Sequence, residues 1–447
     1  MTISREAISR LRSHWAIEAL GADRVNAAHD AAASMYVDSN LGRQLHREGT
    51  HDAATEALIQ DVAFAYEIVA SEGIEALAQV SLHSGTSDDA VAEAAAHEAF
   101  ALLRALPLKL DSLEALVHQV LQLGALAYCS DRWAEYRAWM REREVNPELF
   151  QSDGSWDTRV LSDLGQIWTR LLRKDGWHDL EGVAETVARL RAEQRQNEEL
   201  LFSAQSRPEE LQAAGWRLVA LYHWARLSEM VATYLMQGEP ADIATQLDFH
   251  FDRAISAAQQ SADPAFVVVL QWQRAMAQRM VAGALWSVTR IGPEIRSIVD
   301  TATRHRSMFE MLPPQRIAIQ EQGLLDPASA AVVVDLPTSA GKTILAEFKI
   351  VQAISQFKQD KGWVAYVAPT RALVSQITRR LRRDLGPSGV RVEELTSAVE
   401  IDEIEAGMLN ESPFDVLVAT PEKLHLAIRN AAIDRPLALL VLDEAHN

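Results

Sequence analysis

The first two thirds of the chain carry the hydrophobic spacing of amphipathic helices. In the stretch WRLVALYHWARLSEMVATYLM (216–236), apolar residues recur at steps of mostly three and four, as on a single buried helix face. The residues on this face are Val219, Tyr222, Leu227, Met230, Val231 and Tyr234. Alternating apolar and polar positions, which are typical of strands, are nearly absent before residue 301. The sequence therefore predicts an all-α N-terminal region over residues 1–300.

Capping residues predict where some of these helices begin. Asp111 and Glu114 have the spacing of a capping box, and Asp263 places a capping carboxylate before Pro264 at a first helical position. The polar stretch NPELFQSDGSWD (146–157) interrupts the helical pattern. It predicts two helical domains, 1–145 and 158–300, although a single continuous domain remains an alternative.

After about residue 308 the pattern changes to short apolar runs separated by helical segments. The runs are AVVVDL (331–336), WVAYVAP (363–369), DVLVAT (415–420) and LALLVLD (437–443). Helical segments are predicted at 342–358, 371–384 and 421–430. Buried strands that alternate with helices predict an α/β domain with a parallel sheet over residues 308–447. Ligands in such sheets bind beyond the carboxyl ends of the strands.

Charge is distributed unevenly between the two regions. Residues 1–300 contain 27 Lys+Arg against 43 Asp+Glu, whereas residues 301–447 contain 16 against 19. An acidic region repels a polyanion, so a nucleic-acid site is expected in the C-terminal part and not in residues 1–300. Ten of the eleven tryptophans precede residue 301. In so acidic a region we interpret them as core residues; stacking platforms for bases are the alternative.

Several classes of protein are excluded by composition. Cys129 is the single cysteine, which rules out an internal disulfide and a multi-cysteine metal site. No long uncharged apolar run is present, so a membrane partner is not expected, and the N-terminus lacks a secretory core. These features indicate a cytoplasmic protein. Within DFHFDR (248–253), Asp248 and Asp252 share a helix face that His250 does not, so no metal site is predicted there.

The segment DLPTSAGKT (335–343) has the composition of a phosphate-binding loop. Gly341 allows backbone N–H groups to approach a phosphate, Lys342 supplies a positive charge, and Thr343 offers a hydroxyl to Mg²⁺. Leu336 stands where the general pattern has its first glycine. A chance strand-to-helix turn is the alternative for this segment taken by itself.

A second motif, DEAH (443–446), follows the last apolar run. Asp443 is suited to hold Mg²⁺, and Glu444 to orient or deprotonate an attacking water. Adjacent carboxylates also occur at ordinary strand ends. In combination with the phosphate loop, they predict a nucleotide-hydrolysing site.

Four motifs in this order resemble motifs I, Ia, Ib and II of superfamily 2 helicases of the DEAD/DEAH-box kind. They are PTSAGKT (337–343), APTRAL (368–373), ATPEKL (419–424) and DEAH (443–446). The flanking stretches LPPQRIAI and GKTILAEFKI resemble the Ski-like branch of that superfamily. The resemblance covers about residues 308–447. It implies a RecA-like domain that binds ATP and Mg²⁺, and a nucleic-acid partner, either DNA or RNA.

The resemblance also implies a role for each matching residue. Gln315 would help to read adenine, and Thr370, Arg371 and Thr420 would hold the backbone of a nucleic-acid strand. The implied catalytic residues are Lys342, Asp443 and Glu444, with Thr343 and Asp443 at Mg²⁺. The implied nucleotide-binding residues are Gln315, Pro337, Thr338, Ser339, Ala340, Gly341, Lys342 and Thr343.

Two functions are compatible with the sequence. The first is the N-terminal part of an ATP-dependent helicase or translocase, and bacterial antiviral defence is a context suggested by analogy alone. The second is an ATP-binding switch or scaffold whose helical region docks a protein partner without moving a strand. Motif III, a second RecA-like domain and an arginine finger do not follow Asn447. A fragment that scarcely hydrolyses ATP is therefore expected, and a naturally truncated protein is the alternative.

Overall fold

The computed structural model describes residues 5–44, 52–78, 87–203, 207–289, 293–337, 341–395, 414–429 and 433–444. The chain forms two compact units, residues 1–284 and 285–447. The first unit is helical, and the second is an α/β unit. None of the described helices is long and apolar enough to span a membrane.

The helical unit contains thirteen described α-helices and one short 3-10 helix. Its helices are α1 (Arg5–Arg12), α2 (Trp15–Glu18), α3 (Ala22–Gln44), α4 (Ala53–Glu72), α5 (Ile74–Ala78), α6 (Ser87–Leu103), α7 (Leu113–Cys129), α8 (Trp133–Glu142), a 3-10 turn (Pro147–Phe150), α9 (Trp156–Arg173), α10 (Trp177–Ser203), α11 (Pro208–Gln237), α12 (Ile243–Gln260) and α13 (Pro264–Gly283).

Side-chain caps explain where two of these helices begin. Asp263 accepts a hydrogen bond from the Phe266 N–H at 3.1 Å, and Pro264 occupies the first turn, as the sequence predicted. The capping box predicted from Asp111 was wrong by one residue. Ser112 is the N-cap of α7, and its hydroxyl accepts from the Ala115 N–H at 3.1 Å. A serine hydroxyl satisfies the same orphan N–H groups as a carboxylate.

The buried face of α11 differs at its start from the face that the periodicity indicated. Leu227, Met230 and Tyr234 are buried as expected. Val219 and Tyr222, however, are 40% and 49% exposed, so their assignment to the buried face was wrong. Leu218, Leu221 and Trp224 are buried instead, so this part of α11 packs with a neighbouring face of the same helix.

The polar stretch at 146–157 lies inside the helical unit. Phe150, at the end of the 3-10 turn, is fully buried, and a Cβ added at Gly165 of α9 would meet its ring at 2.4 Å. Helix α7 packs against both α6 and α9. The helices before and after this stretch therefore belong to one compact unit.

Four of the ten tryptophans before residue 301 fill the core, so the sequence interpretation holds for these four; four others are partly buried, and Trp216 is 36% exposed. Trp133, Trp139, Trp168 and Trp224 are buried. The indole of Trp224 donates to the Gln273 side-chain oxygen at 2.8 Å. Trp15, at 63% exposed, is an exception.

The α/β unit contains six described helices and a parallel sheet of four strands. The elements are α14 (Leu285–Val288), α15 (Pro293–Arg306), α16 (Pro313–Gln320), α17 (Lys342–Gln356), β1 (Trp363–Val367), α18 (Arg371–Leu385), β2 (Val392–Glu394), β3 (Val416–Ala419), α19 (Pro421–Arg429) and β4 (Leu437–Leu442). The strand order is β2-β3-β1-β4, and all three pairings are parallel. The predicted parallel sheet is confirmed.

The position of each strand in the sheet follows its hydrophobicity. All five residues of β1 are buried, because β1 has strands on both sides and apolar clusters on both faces. Strand β4 lies at one edge of the described sheet, and Leu440 and Leu442 there are about half exposed. The short strand β2, which contains two glutamates, has no apolar run and was not predicted.

The strand predicted at AVVVDL (331–336) was wrong. Residues 331–337 have no regular secondary structure, and Val333 is 94% exposed. Val334 and Leu336 still pack against the core of the unit. The alternation of a strand is therefore present, but no ladder with another strand forms among the described residues, and a strand requires such a partner.

Candidate functional site

The carboxyl ends of three neighbouring strands lie in register at one edge of the sheet. Val367 of β1 pairs with Ala419 of β3 on one side and with Leu442 of β4 on the other. The Ala368 N–H donates to the Ala419 carbonyl, and the Asp443 N–H donates to the Val367 carbonyl, both at 3.0 Å. The three polar motifs that follow these strands therefore begin at the same edge.

Asp443 is held by a tyrosine of the neighbouring strand. The Tyr366 hydroxyl donates to Oδ2 of Asp443 at 2.9 Å. Burial, and then the adjacent Asp443 carboxylate, raise the pKa of Tyr366 well above its usual value. The phenol therefore stays protonated and remains a donor. Glu444, the next residue, is exposed and has a positive φ of 51°. Sequence reasoning missed Tyr366, which looks like one more residue of a buried strand.

Gly341, in the predicted phosphate loop, contacts the side chain of Gln315. Gly341 is the N-cap of α17 with φ of 72°, in the left-handed region that favours glycine. A Cβ at this position would lie 2.5 Å from Nε2 of Gln315. Gln315 is 2% exposed; its side-chain oxygen accepts from the Leu312 N–H at 3.0 Å, and its Nε2 lies 3.5 Å from the Gly341 carbonyl. Two predicted site residues that are distant in sequence are thus in contact.

Lys342 and Thr343 form the first turn of α17, directly after Gly341. Both side chains are partly exposed, and no side chain caps this helix start among the described residues. The first-turn N–H groups and the positive end of the helix dipole suit an anion. Pro337 is exposed before the loop, whereas Thr338, Ser339 and Ala340 lie outside the described residues.

The two threonines predicted to hold nucleic acid lie at helix starts. Thr370 is the N-cap of α18, and its hydroxyl accepts from the Leu373 N–H at 3.3 Å. Arg371 is exposed at the first position of that helix. Thr420 precedes α19, and its carbonyl accepts from the Leu424 N–H at 3.0 Å. Hydrogen bonds from its own backbone N–H and from Thr420 lower the pKa of Glu422, which follows.

A buried cluster of charges connects three helices of the α/β unit. Glu347 of α17 is fully buried; Oε2 lies 2.8 Å from Arg306 of α15, and Oε1 lies 3.4 Å from Arg380 of α18. Asp384, also buried, lies 3.3 Å from Arg306 and 2.8 Å from Arg383. Burial raises the pKa of Glu347 despite these arginines. Burial acts in the same direction on Asp384, but Arg383, Arg306 and Arg380 outweigh it and lower its pKa.

The four arginines of TRRLRRDL (378–385) all contact groups of their own unit. Arg379 donates to the Ser375 carbonyl at 3.2 Å, and Arg382 pairs with Glu393 at 2.7 Å. Arg380 and Arg383 belong to the buried cluster described above. The four arginines therefore favour an ordinary charged helix face over a direct nucleic-acid contact.

Asp248 and Asp252, weighed as metal ligands from the sequence, both pair with Arg274, at 2.6 and 2.8 Å. Over the described ranges, no group of three or more potential ligands is placed to bind a metal ion. The charge of these two aspartates is thus balanced by an arginine.

Comparison with known proteins agrees with the motifs. The DEAD/DEAH box helicase family matches residues 313–447. Activating signal cointegrator 1 complex subunit 3 of Gallus gallus is 33% identical over 125 residues, which are 26% of this chain and 5% of that protein. RQC trigger complex helicase SLH1 of Saccharomyces cerevisiae is 32% identical over 130 residues, and DExH-box ATP-dependent RNA helicase DExH14 of Arabidopsis thaliana is 32% identical over 125.

Each of these last two matches covers 26% of this chain and 6% of the relative, so the chain spans only a small part of the curated relatives that it matches. The resemblance to a superfamily 2 helicase of the Ski-like branch is confirmed for this segment. Residues 313–447 thus match the DEAD/DEAH box helicase family, and the family match does not extend to the residues before them.

Proposed function

We propose that this chain is part of an ATP-dependent nucleic-acid helicase or translocase, and that it binds ATP–Mg²⁺ at the carboxyl edge of its parallel sheet. One observation carries the proposal. Strands β3, β1 and β4 end in register at Ala419, Val367 and Leu442, so the motifs that follow them all begin at the same edge of the sheet. Adjacent strand ends are where open α/β sheets hold their ligands.

The residues around Gly341 fit a phosphate group. The left-handed backbone of Gly341 and the absence of a Cβ beside Gln315 keep a cradle open at the start of α17. Lys342 supplies the charge for the terminal phosphates, and Thr343 offers its hydroxyl to the ion. Pro337, Thr338, Ser339 and Ala340 complete the loop. The proposal also requires the side chains of Lys342 and Asp443 to lie close enough to share one phosphate–Mg²⁺ group.

The DEAH carboxylates have separate roles in this scheme. Asp443, oriented by the Tyr366 hydroxyl, holds Mg²⁺, and the exposed Glu444 orients a water and takes its proton. When bound, the Mg²⁺ ion neutralises charge on the phosphates. Gln315, fixed by the Leu312 N–H, is placed to read the adenine.

Nucleic acid is assigned to the same edge of the sheet. Thr370 and Thr420 precede helix starts whose N–H groups suit phosphates, and Arg371 adds an exposed positive charge. Such contacts position a strand and carry no sequence information. The acidic residues 1–300 are left out of this interface.

Nucleotide binding can be measured with a fluorescent ATP analogue and Mg²⁺. We expect Lys342→Ala to weaken binding at least tenfold, about the 1.4 kcal/mol of a charge-assisted hydrogen bond. Lys349→Ala is the matched control, because Lys349 lies seven residues along the same helix and contacts the Asp326 carbonyl. Equal affinity of the two variants would argue against a phosphate site at Lys342.

Binding of a labelled single strand tests the second half of the proposal. Arg371→Ala should weaken binding of every sequence to a similar extent and reduce the salt dependence by about one phosphate contact. Arg382→Ala, on the same helix but paired with Glu393, should have little effect. If Arg382→Ala reduced the affinity for the strand more than Arg371→Ala, the nucleic-acid interface would not lie at Arg371.

An ATP-binding switch or scaffold whose helical unit docks a protein partner without moving a strand is the second candidate function. It is favoured by a large open cavity in the helical unit, described below. Because this chain is expected to hydrolyse ATP only poorly, the test uses a longer form of the protein: stimulation of its ATP turnover by single-stranded DNA or RNA supports the helicase, whereas a protein ligand without such stimulation supports the switch or scaffold.

A further inference from the structure

The helical unit contains an open cavity of about 1110 Å³ that lies far in sequence from every residue of the proposed nucleotide site. Its walls come from helices α4, α7, α9, α11 and α13, with one residue, Asn197, from α10. The cavity exceeds the roughly 300–1,000 Å³ of most small-molecule sites.

The walls of the cavity are largely apolar, and part of that apolar surface is exposed. Leu121, Leu164 and Leu221 line its buried interior. Phe64 on α4 and Val268 on α13 are 63% and 51% exposed at its walls. Exposed apolar side chains beside a buried apolar floor are typical of a groove that accepts the apolar face of a helix.

The charges of the cavity have one predominant sign. Five acidic side chains line it, against one arginine and one histidine; Glu72 is paired with His14 at 3.0 Å, and burial raises the pKa of Glu67 to about 7. The carboxylates are Glu67, Glu72, Glu114, Asp157 and Asp263. The arginine, Arg217, is already engaged with Asp157 at 3.2 Å and with Asp263 at 3.8 Å. A cationic ligand complements this lining, and an anionic ligand does not.

A buried donor in the cavity lacks a partner among the described residues. Gln273 is 1% exposed, and its side-chain oxygen accepts from the Trp224 indole at 2.8 Å. Its Nε2 has no acceptor in the described part of the chain. A buried donor without an acceptor is costly, so a ligand that brings a carbonyl group stabilises this position.

We propose that this cavity, the helical groove, binds a short amphipathic helix of another protein, with leucine-like residues on one face and lysine or arginine beside them. The apolar face packs between Phe64 and Val268, the basic residues face the carboxylates, and a peptide carbonyl accepts from Gln273. The site does not depend on ATP or nucleic acid.

The test uses the full chain and a fluorescein-labelled peptide of about five helical turns, made of leucine and lysine in an amphipathic order. One control peptide has the same composition in a scrambled order that separates no faces, and another carries glutamate in place of lysine. Fluorescence anisotropy gives the affinities. We expect the amphipathic basic peptide to bind at least tenfold more tightly than either control.

Variants separate a groove from general attraction to an acidic protein. Val268→Asp adds a negative charge, so charge attraction alone predicts tighter binding, whereas occupation of the groove predicts binding at least tenfold weaker. Glu114→Gln should weaken binding about twofold to fourfold. Glu185→Gln, at an exposed position of α10 outside the cavity lining, should leave the affinity unchanged.

Three results would overturn the proposal: equal binding of the scrambled peptide, unchanged affinity in Val268→Asp, or equal losses in Glu114→Gln and Glu185→Gln. Tight binding of the apolar cation tetraphenylphosphonium without peptide binding would assign the groove to a small molecule instead. Lys342→Ala should bind the peptide as the unmodified chain does, so failure here is distinguishable from failure of the nucleotide site.

Discussion

The helices of the first unit and the strands of the α/β unit differ in where their backbone hydrogen-bond partners come from. In a helix, each backbone N–H finds its partner four residues earlier, so a local pattern is enough. An apolar run becomes a strand only where another strand completes the ladder. WVAYV (363–367) has two neighbouring strands and is buried throughout, whereas AVVVDL (331–336) forms no ladder among the described residues.

This difference indicates that the α/β unit depends more heavily on contacts between residues distant in sequence. Arg306 with Glu347, Gln315 with Gly341, and Tyr366 with Asp443 are three such contacts. Each can be removed by one substitution without changing a local pattern. In the helical unit, the corresponding experiment replaces Glu67, which lines the helical groove.

The largest effect is expected from the buried charge cluster. Glu347→Leu removes the buried carboxylate between Arg306 and Arg380, whose side chains are 20% and 36% exposed, and leaves Asp384 as their remaining acidic partner in the cluster. Removal of one partner of a buried ion pair typically costs about 3–5 kcal/mol, because an uncompensated charge stays behind. We expect faster hydrogen exchange throughout α17 and β1, measured by mass spectrometry, and unchanged exchange in the helical unit.

The exposed pair of Arg382 and Glu393 is the control for this experiment. Both side chains are about half exposed at 2.7 Å separation. Exposed pairs contribute about 0–1 kcal/mol, so Glu393→Ala should barely change exchange. If Glu347→Leu were as mild as Glu393→Ala, the cluster would not hold the three helices together.

A pH-dependent effect of intermediate size is expected in the helical unit. Burial raises the pKa of Glu67 from 4.5 to about 7, although a hydrogen bond from Gln122 opposes the shift. A carboxyl whose folded pKa is raised contributes its full stability below the unfolded pKa and loses that contribution as the pH rises through about 7. Between about pH 5 and pH 8 the loss is on the order of 2–3 kcal/mol.

Glu67→Gln should remove this part of the pH dependence. Unfolding in denaturant can be followed by tryptophan fluorescence, since ten of the eleven tryptophans precede residue 301. Glu72, Glu114 and His118 line the same groove, so the difference between the two proteins is the quantity to compare. Parallel stability curves of the unmodified chain and Glu67→Gln would contradict the prediction.

The sequence predicted local features well and non-local features poorly. The helical character of the first unit, the cap at Asp263 and three of the four predicted strands were confirmed, because each depends on nearby residues or on a continuous apolar run. The predicted buried face of α11 was confirmed only in part. Strand β2 has no apolar run, and the strand at 331–336 lacks a ladder partner among the described residues. Motif spacing identified the candidate site residues, but neither Tyr366 nor Glu347 differs in pattern from an ordinary residue of a buried strand or helix.

The contact of Gly341 with Gln315 gives a smaller predicted effect. Gly341→Ala forces a side chain into the left-handed region, at about 1–2 kcal/mol, and crowds Nε2 of Gln315. We expect the affinity for a fluorescent ATP analogue to fall about tenfold to thirtyfold. Gly386→Ala is the control, since Gly386 has φ of −53° and open space for a Cβ. Equal nucleotide affinity of both variants would show that this loop tolerates a side chain.

The smallest predicted effect concerns the hydroxyl of Tyr366. Tyr366→Phe keeps the ring in the sheet but removes the 2.9 Å hydrogen bond that orients Asp443. Asp443 is partly exposed, so water can replace the lost hydrogen bond, and the cost is about 0.5–1 kcal/mol. The Mg²⁺ concentration needed for ATP-analogue binding should therefore shift about twofold to fivefold. Because burial and Asp443 raise the pKa of Tyr366, the hydroxyl stays protonated. The ratio between the Mg²⁺ dependence of Tyr366→Phe and that of the unmodified chain should therefore be constant between about pH 6 and pH 9.

Tyr222→Phe, at an exposed position of α11, controls for loss of a tyrosine hydroxyl elsewhere. A Mg²⁺ dependence equal to that of the unmodified chain would mean that Asp443 is oriented without Tyr366, and a ratio that falls towards one at high pH would mean that the phenol ionises.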